Sequence, residues 1–570
     1  MSTTVSRLEE TARGGRITRR ELLERCLKLG LSTPVILGLL VLAPEASAAP
    51  TTSTAPGHFT RMQGDPSTLT IGIYDGIVDA DPHSTYTTYG ALLAIGVYEM
   101  LVQYRGDSIS EIEPMLAESY EASADNTTFT FKIPAGVTFH DGSPCDSSTV
   151  KAAFTRLIRQ EMGPYLVAAR FIADPDTQIQ TPDPTTVVFT TPRSEPLFMA
   201  AMASSYGVYV TSPTDVEANQ TEDDPWAHEW FVANGNGTGP YKLVENNFKE
   251  RVVLERHDGY HRGFSGTEFQ TVIMRVVPEN ATRRQLIENG EIDILSNALT
   301  EEDHKVLESN PDLVVVRYPT TRVIWLILNA VTLSVDARKG LSYAFPYDEV
   351  INGVYLGNTK RTGPIPDNVV GYDPEVFVYP TDIEQARALL ASGGLPEGSA
   401  LTFMADSQSE ESRLCAELFQ SSLTPLGITL DIQVVDYSIL EETVYGDQPA
   451  EDKPHIMGLW SWWPDYNDGA NQLEPNYIVA SSGGGGSNAG YYSNARFEEI
   501  MVEVDTAHEA TYLALMKEAQ DILVQQDPAS IFIGQREYTT VLRKDVQGFV
   551  PNPIYLEQYI LQRLSRASQA

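Results

Sequence analysis

Between Leu69 and Phe549 the sequence keeps switching between a two-residue and a 3.6-residue apolar repeat, and this alternation limits the fold more than any single motif. "LTIGIYD" (Leu69–Asp75) and "TTFTFKI" (Thr127–Ile133) read as strands, the second with the polar–apolar alternation of a half-exposed one. Ala91–Val102 is apolar enough for a buried helix. Asp146 or Ser147 is placed to cap a helix whose apolar face is Val150, Ala153, Phe154, Leu157 and Ile158. "TDIEQARALLASGG" opens with Thr381 and Glu384 in capping-box spacing and stops at Gly393-Gly394. Phe497, Ile500, Met501 and Val504 mark another amphipathic helix, and a further one covers Glu509–Val524. "ASIFIGQ" and "TTVLR" then return to strand pattern. Short strands mixed with capped helices predict α/β domains. A chain of 570 residues exceeds the size at which one core stops growing, so at least two domains are expected.

The formal net charge is −37, which argues against nucleic acid as a partner, because phosphate binding needs a basic face. The acidity itself is read as solubility. The three cysteines, Cys26, Cys145 and Cys415, form no C-x-x-C pair and no cluster of zinc spacing. For Cys145 and Cys415 two readings stay open, one disulfide or two buried thiols. His140-Asp141-Gly142 falls at a hairpin turn, and His257 and His261 have helical spacing without a carboxylate or third ligand placed beside them. G-x-S-x-G, H-E-x-x-H and G-x-x-x-x-G-K-[ST] are all absent. No cofactor is expected.

"ITRRELLERCLKLGLSTPVILGLLVLAPEASAAP" reads as an export signal. Arg19-Arg20 before Leu22-Leu23 resembles the twin-arginine pattern, and Ala46-Ser47-Ala48 is a small-residue cleavage site. The apolar run Leu29–Ala43, interrupted by Pro34 and Gly38, is shorter than the ~20 residues a spanning helix needs. Cys26 precedes that run outside any acylation box, so no lipid anchor is expected there. The expectation is a signal over residues 1–48, a disordered Thr/Ser/Pro/Gly tether over 49–61, and a mature protein outside the cytoplasm. "SSGGGGSNAG" (Ser481–Gly490) lies between patterned segments and is read as a natural mobile loop.

"GLWSWWPDYND" (Gly458–Asp468) holds three of the six tryptophans of the chain, Trp460, Trp462 and Trp463. Two readings compete for it. In one it is a core strand, with Trp460 and Trp462 facing one way and Trp463 the other. In the other it is the wall of a ligand pocket.

Several stretches in one order resemble the extracellular solute-binding proteins of the peptide/nickel class that serve ABC importers. They are "DADPHSTY" (Asp79–Tyr86), "VYEMLVQY" (Val97–Tyr104) and the long "PMLAESYEASADNTTFTFKIPAGVTFHDGSPCDSSTVKAAFTR" (Pro114–Arg156). "GTGPYKLVE" (Gly237–Glu245), "RRQLIENGEIDI" (Arg283–Ile294) and "LNAVTLSVDARKGLSYAFPYDEVINGVYLG" (Leu328–Gly357) follow. "GPIPDNVVGYDP" (Gly363–Pro374), "YYSNARFEEIMVEVD" (Tyr491–Asp505) and "VLRKDVQGF" (Val541–Phe549) complete the series. The resemblance implies a two-lobed, periplasmic-binding-protein-like α/β fold (class II, cluster C type) with an extra subdomain inserted in the first lobe. The implied layout is lobe 1 over 62–327 with the insert at about 91–209, lobe 2 over 328–533, and a return to lobe 1 over 534–570. Two strand crossings would form the hinge.

The resemblance also implies a function, namely capture of an oligopeptide or dipeptide between the lobes and delivery to ABC permease subunits, by a monomer, with no chemistry. The segment matching "SWWPDYND" would pair its backbone with an extended peptide, and Asp465 would take the peptide's amino terminus. Ser461 and Trp463 would offer backbone groups, and the indoles, Tyr466 and Asn467 would complete the wall. Tyr86 matches a ligand-facing loop, against the plainer reading of a surface-turn tyrosine. The alternatives are the same scaffold holding a nickel chelate, haem, sugar or opine, a protein presenting ligand to a membrane sensor, or a secreted hydrolase with Asp465 facing Asp79 or Asp81.

Overall fold

The computed structural model describes residues 65–567, apart from 297–298, 408, 447 and 484–485. The expected export signal, Cys26 and the tether lie outside those residues. Among the described residues no helix is long and apolar enough to cross a membrane.

An 11-stranded mixed sheet organises the chain. Its main strands are β1 Thr68–Ile73, β2 Tyr241–Asn247, β3 Arg251–Arg256, β4 Thr271–Val276 and β5 Ile294–Ser296. After them come β6 Leu313–Leu328, β7 Ala400–Asp406, β8 Thr429–Val435, β9 Ile456–Trp462 and β10 Ser530–Arg543. Their order is β8-β7-β9-β6-β10-β5-β1-β4-β3-β2, and the short strand Thr359–Lys360 joins β10. The two segments expected at 529–535 and 539–543 are one strand, β10.

β6 and β10 run through both halves of this sheet. A 16-residue strand reaches about 50 Å, enough to enter two separate cores. Leu313–Pro319 pairs with Glu537–Arg543 on the side of β5, and Val323–Ile327 pairs with Ser530–Gln535 on the side of β9. The ladder breaks between Pro319 and Val323. Pro319 has no N–H to contribute, and the residues after it make other bonds. Thr320 Oγ1 donates to the Arg536 carbonyl at 2.6 Å, and Thr321 Oγ1 to the Pro553 carbonyl at 3.1 Å. At the next register shift, beside Ile324, a Cβ on Gly534 would stand 2.3 Å from the Lys360 carbonyl oxygen, so only glycine allows that approach.

Each half has its own apolar core. On one side helix α1 (Thr88–Val97) packs Leu92, Leu93 and Ile95 with Ile71, Leu254 and Met274 of the sheet. A second cluster on that side surrounds a separate four-stranded sheet built from residues 119–190 and helix α2 (Ser147–Gln160). Its centre is aromatic, with Phe129 and Phe198 stacked at 4.1 Å and Phe154 against Phe189 at 4.7 Å. On the other side β7, β8 and β9 pack on helices α3 (Ile383–Ser392) and α4 (Glu410–Leu423).

Asp146 caps α2, accepting from the Ser148 and Thr149 amides at 2.9 and 3.2 Å, while Thr149 Oγ1 accepts from the Asp146 amide at 3.0 Å. The helix expected over Ala91–Val102 ends at Val97, because the Gly239 amide takes the Val97 carbonyl at 3.0 Å. Val102–Tyr104 is instead a short strand. The cap of α3 is Asp382, not Thr381, whose hydroxyl donates to the Phe345 carbonyl at 2.7 Å. His257 and His261 lie in a turn rather than a helix, and Glu99 gives His261 a carboxylate at 2.9 Å. Cys145 and Cys415 are free, buried thiols in different clusters, and burial pushes Cys145 up to about 12. In the 481–490 loop, Asn488 Nδ2 donates to the Ile478 and Tyr492 carbonyls at 3.0 and 2.8 Å.

Phe154 lies fully inside the aromatic cluster. Phe154→Ala is expected to lower stability by about 3–5 kcal/mol, measured by urea titration. A loss below about 1 kcal/mol would mean that the cluster collapses around the gap.

Candidate ligand-binding cleft

β9 carries the tryptophan segment, and only one of its edges is fully paired. It runs antiparallel to β6 with Val323 opposite Trp462, Ile324 opposite Ser461 and Trp325 opposite Trp460. On its other edge β7 meets it at one place, Phe403 opposite Ile456. The cause is Gly458, with φ at +85° and room for no Cβ, since one would lie 2.9 Å from the Met404 carbonyl oxygen. Beyond this bend the edge has no strand on it among the described residues, which leaves backbone donors and acceptors exposed for pairing.

Trp460 and Trp462 stand two residues apart on β9 and pack partly on the core under β7–β9. Trp460 meets Tyr445 edge-on at 5.7 Å. Trp462 reaches Tyr86 across the gap at 6.4 Å and lies nearly parallel to Trp463 at 6.3 Å. Trp462 and Trp463 thus pack on different cores, Trp463 on the clusters of the first side, while their rings stay within contact of each other. The indole Nε1 atoms of Trp460 and Trp462 are buried without a hydrogen-bond partner. Ser461 is half-buried between them.

After Trp463 the chain turns through Pro464 into helix α5 (Gly469–Tyr477), capped by Asp468. Asn471 of α5 accepts from the Asp465 amide at 2.7 Å, which fixes the carboxylate just outside the helix start. That carboxylate accepts from the Tyr86 hydroxyl and, at 3.4 Å, from Asn471 Nδ2. Asp465 is only 6% exposed, and among the described residues no Lys, Arg or His forms an ion pair with it. Burial pushes its carboxyl up to about 6, with the bonds from Tyr86 and Asn471 holding it back. Tyr86 in turn meets Tyr206 at 4.7 Å with the rings tilted by 49°.

The structure thus brings Asp465, Tyr86, Trp462 and Trp463 together, with Trp460 and Ser461 beside them. Tyr466 and Asn467, also expected at a ligand, are engaged elsewhere. Tyr466 is 2% exposed and meets Phe171 at 6.1 Å in the aromatic cluster. The Asn467 side chain accepts from the Val370 amide at 3.0 Å and donates to the Ile109 carbonyl at 3.1 Å. Both residues fasten one half of the molecule to the other. Asp505, which follows helix α6 (Ala495–Glu503), adds ion pairs to Arg170 at 2.8 Å and Arg193 at 3.3 Å.

Of the two carboxylates considered as hydrolytic partners of Asp465, Asp81 is engaged in a structural ion pair. Asp81 is fully buried and held by Arg156 through two 2.7 Å bonds, with His228 at 3.0 Å. Burial alone would raise its carboxyl, but the Arg156 fork and His228 bring it well below the usual range. Among the described residues no group of three or more His, Cys, Asp or Glu side chains is arranged to hold a metal ion. Two residues of this region were not anticipated. Asn471 was visible only as a polar residue shortly after a cap, and Arg322 as a charge inside an otherwise apolar strand stretch.

Residues 111–484 match the family of bacterial extracellular solute-binding proteins, family 5 Middle. The chain belongs to this family. A probable D,D-dipeptide-binding periplasmic protein of Escherichia coli K12 is 28% identical to this family 5 chain over 512 residues, covering 88% of it and 93% of the relative. A periplasmic binding protein of Helicobacter pylori in complex with a peptide superposes with a TM-score of 0.74 at 22% identity, covering 88% and 98% of the two chains. A Campylobacter jejuni protein in complex with Ni(L-His) gives 0.75 at 16%, covering 88% and 100%. These structures share the two-lobed fold, with the sheet halves on either side of the β6/β10 break as its lobes.

Asp505→Asn removes two half-exposed ion pairs between the lobes. Such pairs contribute about 0.2–1 kcal/mol each, so closure should weaken several-fold at most. Small-angle scattering is expected to show a slightly larger mean radius. An unchanged radius would assign closure to the apolar contacts of Tyr466 instead.

Proposed function

We propose that this family 5 protein captures short peptides between its lobes, outside the cytoplasm, and delivers them as a monomer to the permease of an ABC importer. Asp465 carries the reading. A buried carboxylate with no basic partner, at the end of an open strand edge, is matched by a ligand ammonium. The free edge of β9 suits an extended peptide, which would add as a strand whatever its side chains. The indoles of Trp460, Trp462 and Trp463 supply broad apolar walls. Tyr86 reaches Asp465 from the opposite lobe, so a ligand held there touches both lobes and favours closure. We place the hinge at residues 320–322 and 534–536, where the ladder between β6 and β10 breaks. The dipeptide named for the Escherichia coli relative and the peptide named for the Helicobacter pylori structure support the same class of ligand.

A charge-assisted bond of this kind contributes about 1.5–3 kcal/mol. Asp465→Ala should therefore weaken peptide binding by about ten- to a hundredfold in calorimetry while leaving the circular dichroism spectrum unchanged. Equal affinity would remove Asp465 from the site. The ligand itself is identified by native mass spectrometry of gently purified protein. Mixed short peptides are expected. A single mass of a nickel chelate, haem, sugar or opine would replace the peptide reading and keep the transport one.

Binding should also depend on pH. The ammonium needs Asp465 ionised, and this carboxyl titrates at about 6. A peptide amino group stays protonated up to about pH 8. Affinity is expected to be level between about pH 6.5 and 7.5 and to fall as pH drops below 6, approaching tenfold per unit. An affinity flat from pH 7 to 5 would contradict the role given to this carboxylate.

A further inference from the structure

Of the stretch Asp79–Tyr86 the proposed function uses only Tyr86, yet the residues before it are bonded more closely than a connecting loop requires. Asp81, His83 and Arg156 of α2 are all 0–1% exposed. Arg156 donates two 2.7 Å bonds to the Asp81 carboxylate, another to His83 Nδ1 at 3.1 Å and, from Nε, one to the Trp226 carbonyl at 2.9 Å. Its guanidinium lies 4.1 Å from the Phe231 ring centre. Asp81 in turn shapes its own loop. Its Oδ1 accepts from the His83 amide at 3.0 Å, and its carbonyl accepts from the Ser84 and Thr85 amides at 3.2 and 2.9 Å.

His83 carries this order further. Arginine is a permanent donor, so His83 Nδ1 accepts and the ring proton sits on Nε2. That N–H donates to the Tyr209 carbonyl at 2.8 Å. Burial, and then the guanidinium beside it, push the imidazole down to about 4, so it stays neutral with its tautomer fixed. The Tyr209 hydroxyl donates back to the Ser205 carbonyl at 2.9 Å. His83 thus ties the loop that ends in Tyr86 to the segment that carries Tyr206, the ring Tyr86 meets at 4.7 Å. From another side, a Cβ on Gly163 would lie 2.9 Å from both the Ser84 carbonyl oxygen and Tyr86 Cβ, so the backbone closes directly on Tyr86. Residues 79–87 belong to no helix or strand. An irregular stretch keeps a side chain in one place only when other groups remove its conformational freedom.

We propose that Asp81 and His83 are positioning residues of the cleft, which, held by the Arg156 fork, keep the Tyr86 hydroxyl at Asp465 and so fix the contact between the lobes. The inference rests on the part given to Tyr86 and Asp465 in the proposed function, and not on the class of ligand. Both residues are fully buried and act through Tyr86. A side chain ordered in advance has less freedom to lose when a ligand binds, so the buried cluster raises affinity from outside the binding surface.

The test is a double-mutant cycle on His83→Leu and Tyr86→Ala, read by calorimetric titration of alanyl-phenylalanine. In the otherwise wild-type chain His83→Leu is expected to weaken binding by about five- to thirtyfold. In the Tyr86→Ala chain the same change should alter affinity by less than about twofold, since no Tyr86 side chain is left to misplace. A residue that only holds the fold together gives the same loss in both chains, and that result overturns the inference, as does unchanged affinity for His83→Leu alone. A readout without ligand separates this inference from the peptide reading. Trp462 lies 6.4 Å from Tyr86, so His83→Leu should change tryptophan emission more in the wild-type chain than in Trp462→Phe. If the wild type does not bind the dipeptide, the peptide reading falls and emission alone decides, equal changes in the two chains overturning the inference. If His83→Leu does not fold, Arg156→Lys keeps the charge and loses the fork, and both readouts are taken on it with the same expected and overturning results.

Discussion

Everything in this molecule depends on β6 and β10 being continuous covalent strands but a discontinuous ladder. Each strand enters both cores, so neither lobe can detach. The hydrogen-bond register breaks between Pro319 and Val323, so neither lobe is locked to the other through the sheet. At the break a few residues make side-chain-to-backbone bonds in place of ladder bonds. Thr320 and Thr321 keep those residues satisfied and buried while freeing them from the sheet geometry. That arrangement suits a joint better than a glycine-rich linker would.

The chemistry of the cleft is asymmetric in charge. Most buried ionised groups in this protein have partners of opposite sign, and Asp81 with its Arg156 fork and His228 is the fullest example. Asp465 has only neutral donors, and burial therefore leaves its carboxyl easier to protonate. The contrast between the two aspartates separates a structural ion pair from a carboxyl with neutral partners, which is the one the proposed function uses. The difference is set within a few ångströms, by the groups bonded to each carboxyl.

Much of the architecture was legible in the sequence because local physics set it. Asp146 and Thr149 form a capping box from residues adjacent in sequence, and the apolar faces of α2 and α6 follow the helical repeat. What failed was set by distant contacts. α1 stops at Val97 because Gly239, far along the chain, takes its last carbonyl, and no local pattern announces that. Thr381 had the right chemistry for a cap, but tertiary packing gave its hydroxyl to Phe345 and left the role to Asp382. Motif resemblance singled out Asp465 and Tyr86 separately, and the hydrogen bond that joins them was beyond any reading of spacing. Tyr466 and Asn467 were drawn in by adjacency to Asp465, yet the turn at Pro464 sends them into the contact between lobes. Arg322 escaped notice because a lone arginine in a strand resembles a surface position until the strand is known to be internal.

Gly458 has one more consequence. The bend that frees the edge of β9 also creates a length of unpaired strand, the feature through which proteins stick to one another. Other proteins blunt such edges with charge or proline. Here the edge lies beside Asp465 and beneath the opposite lobe, which Tyr86 brings against it. In the proposed cycle closure would act as a cover as well as a clasp, and the adhesive edge would be exposed only in the open form. In that cycle loss of ligand would raise the tendency to self-associate and would tie colloidal stability to the supply of solute.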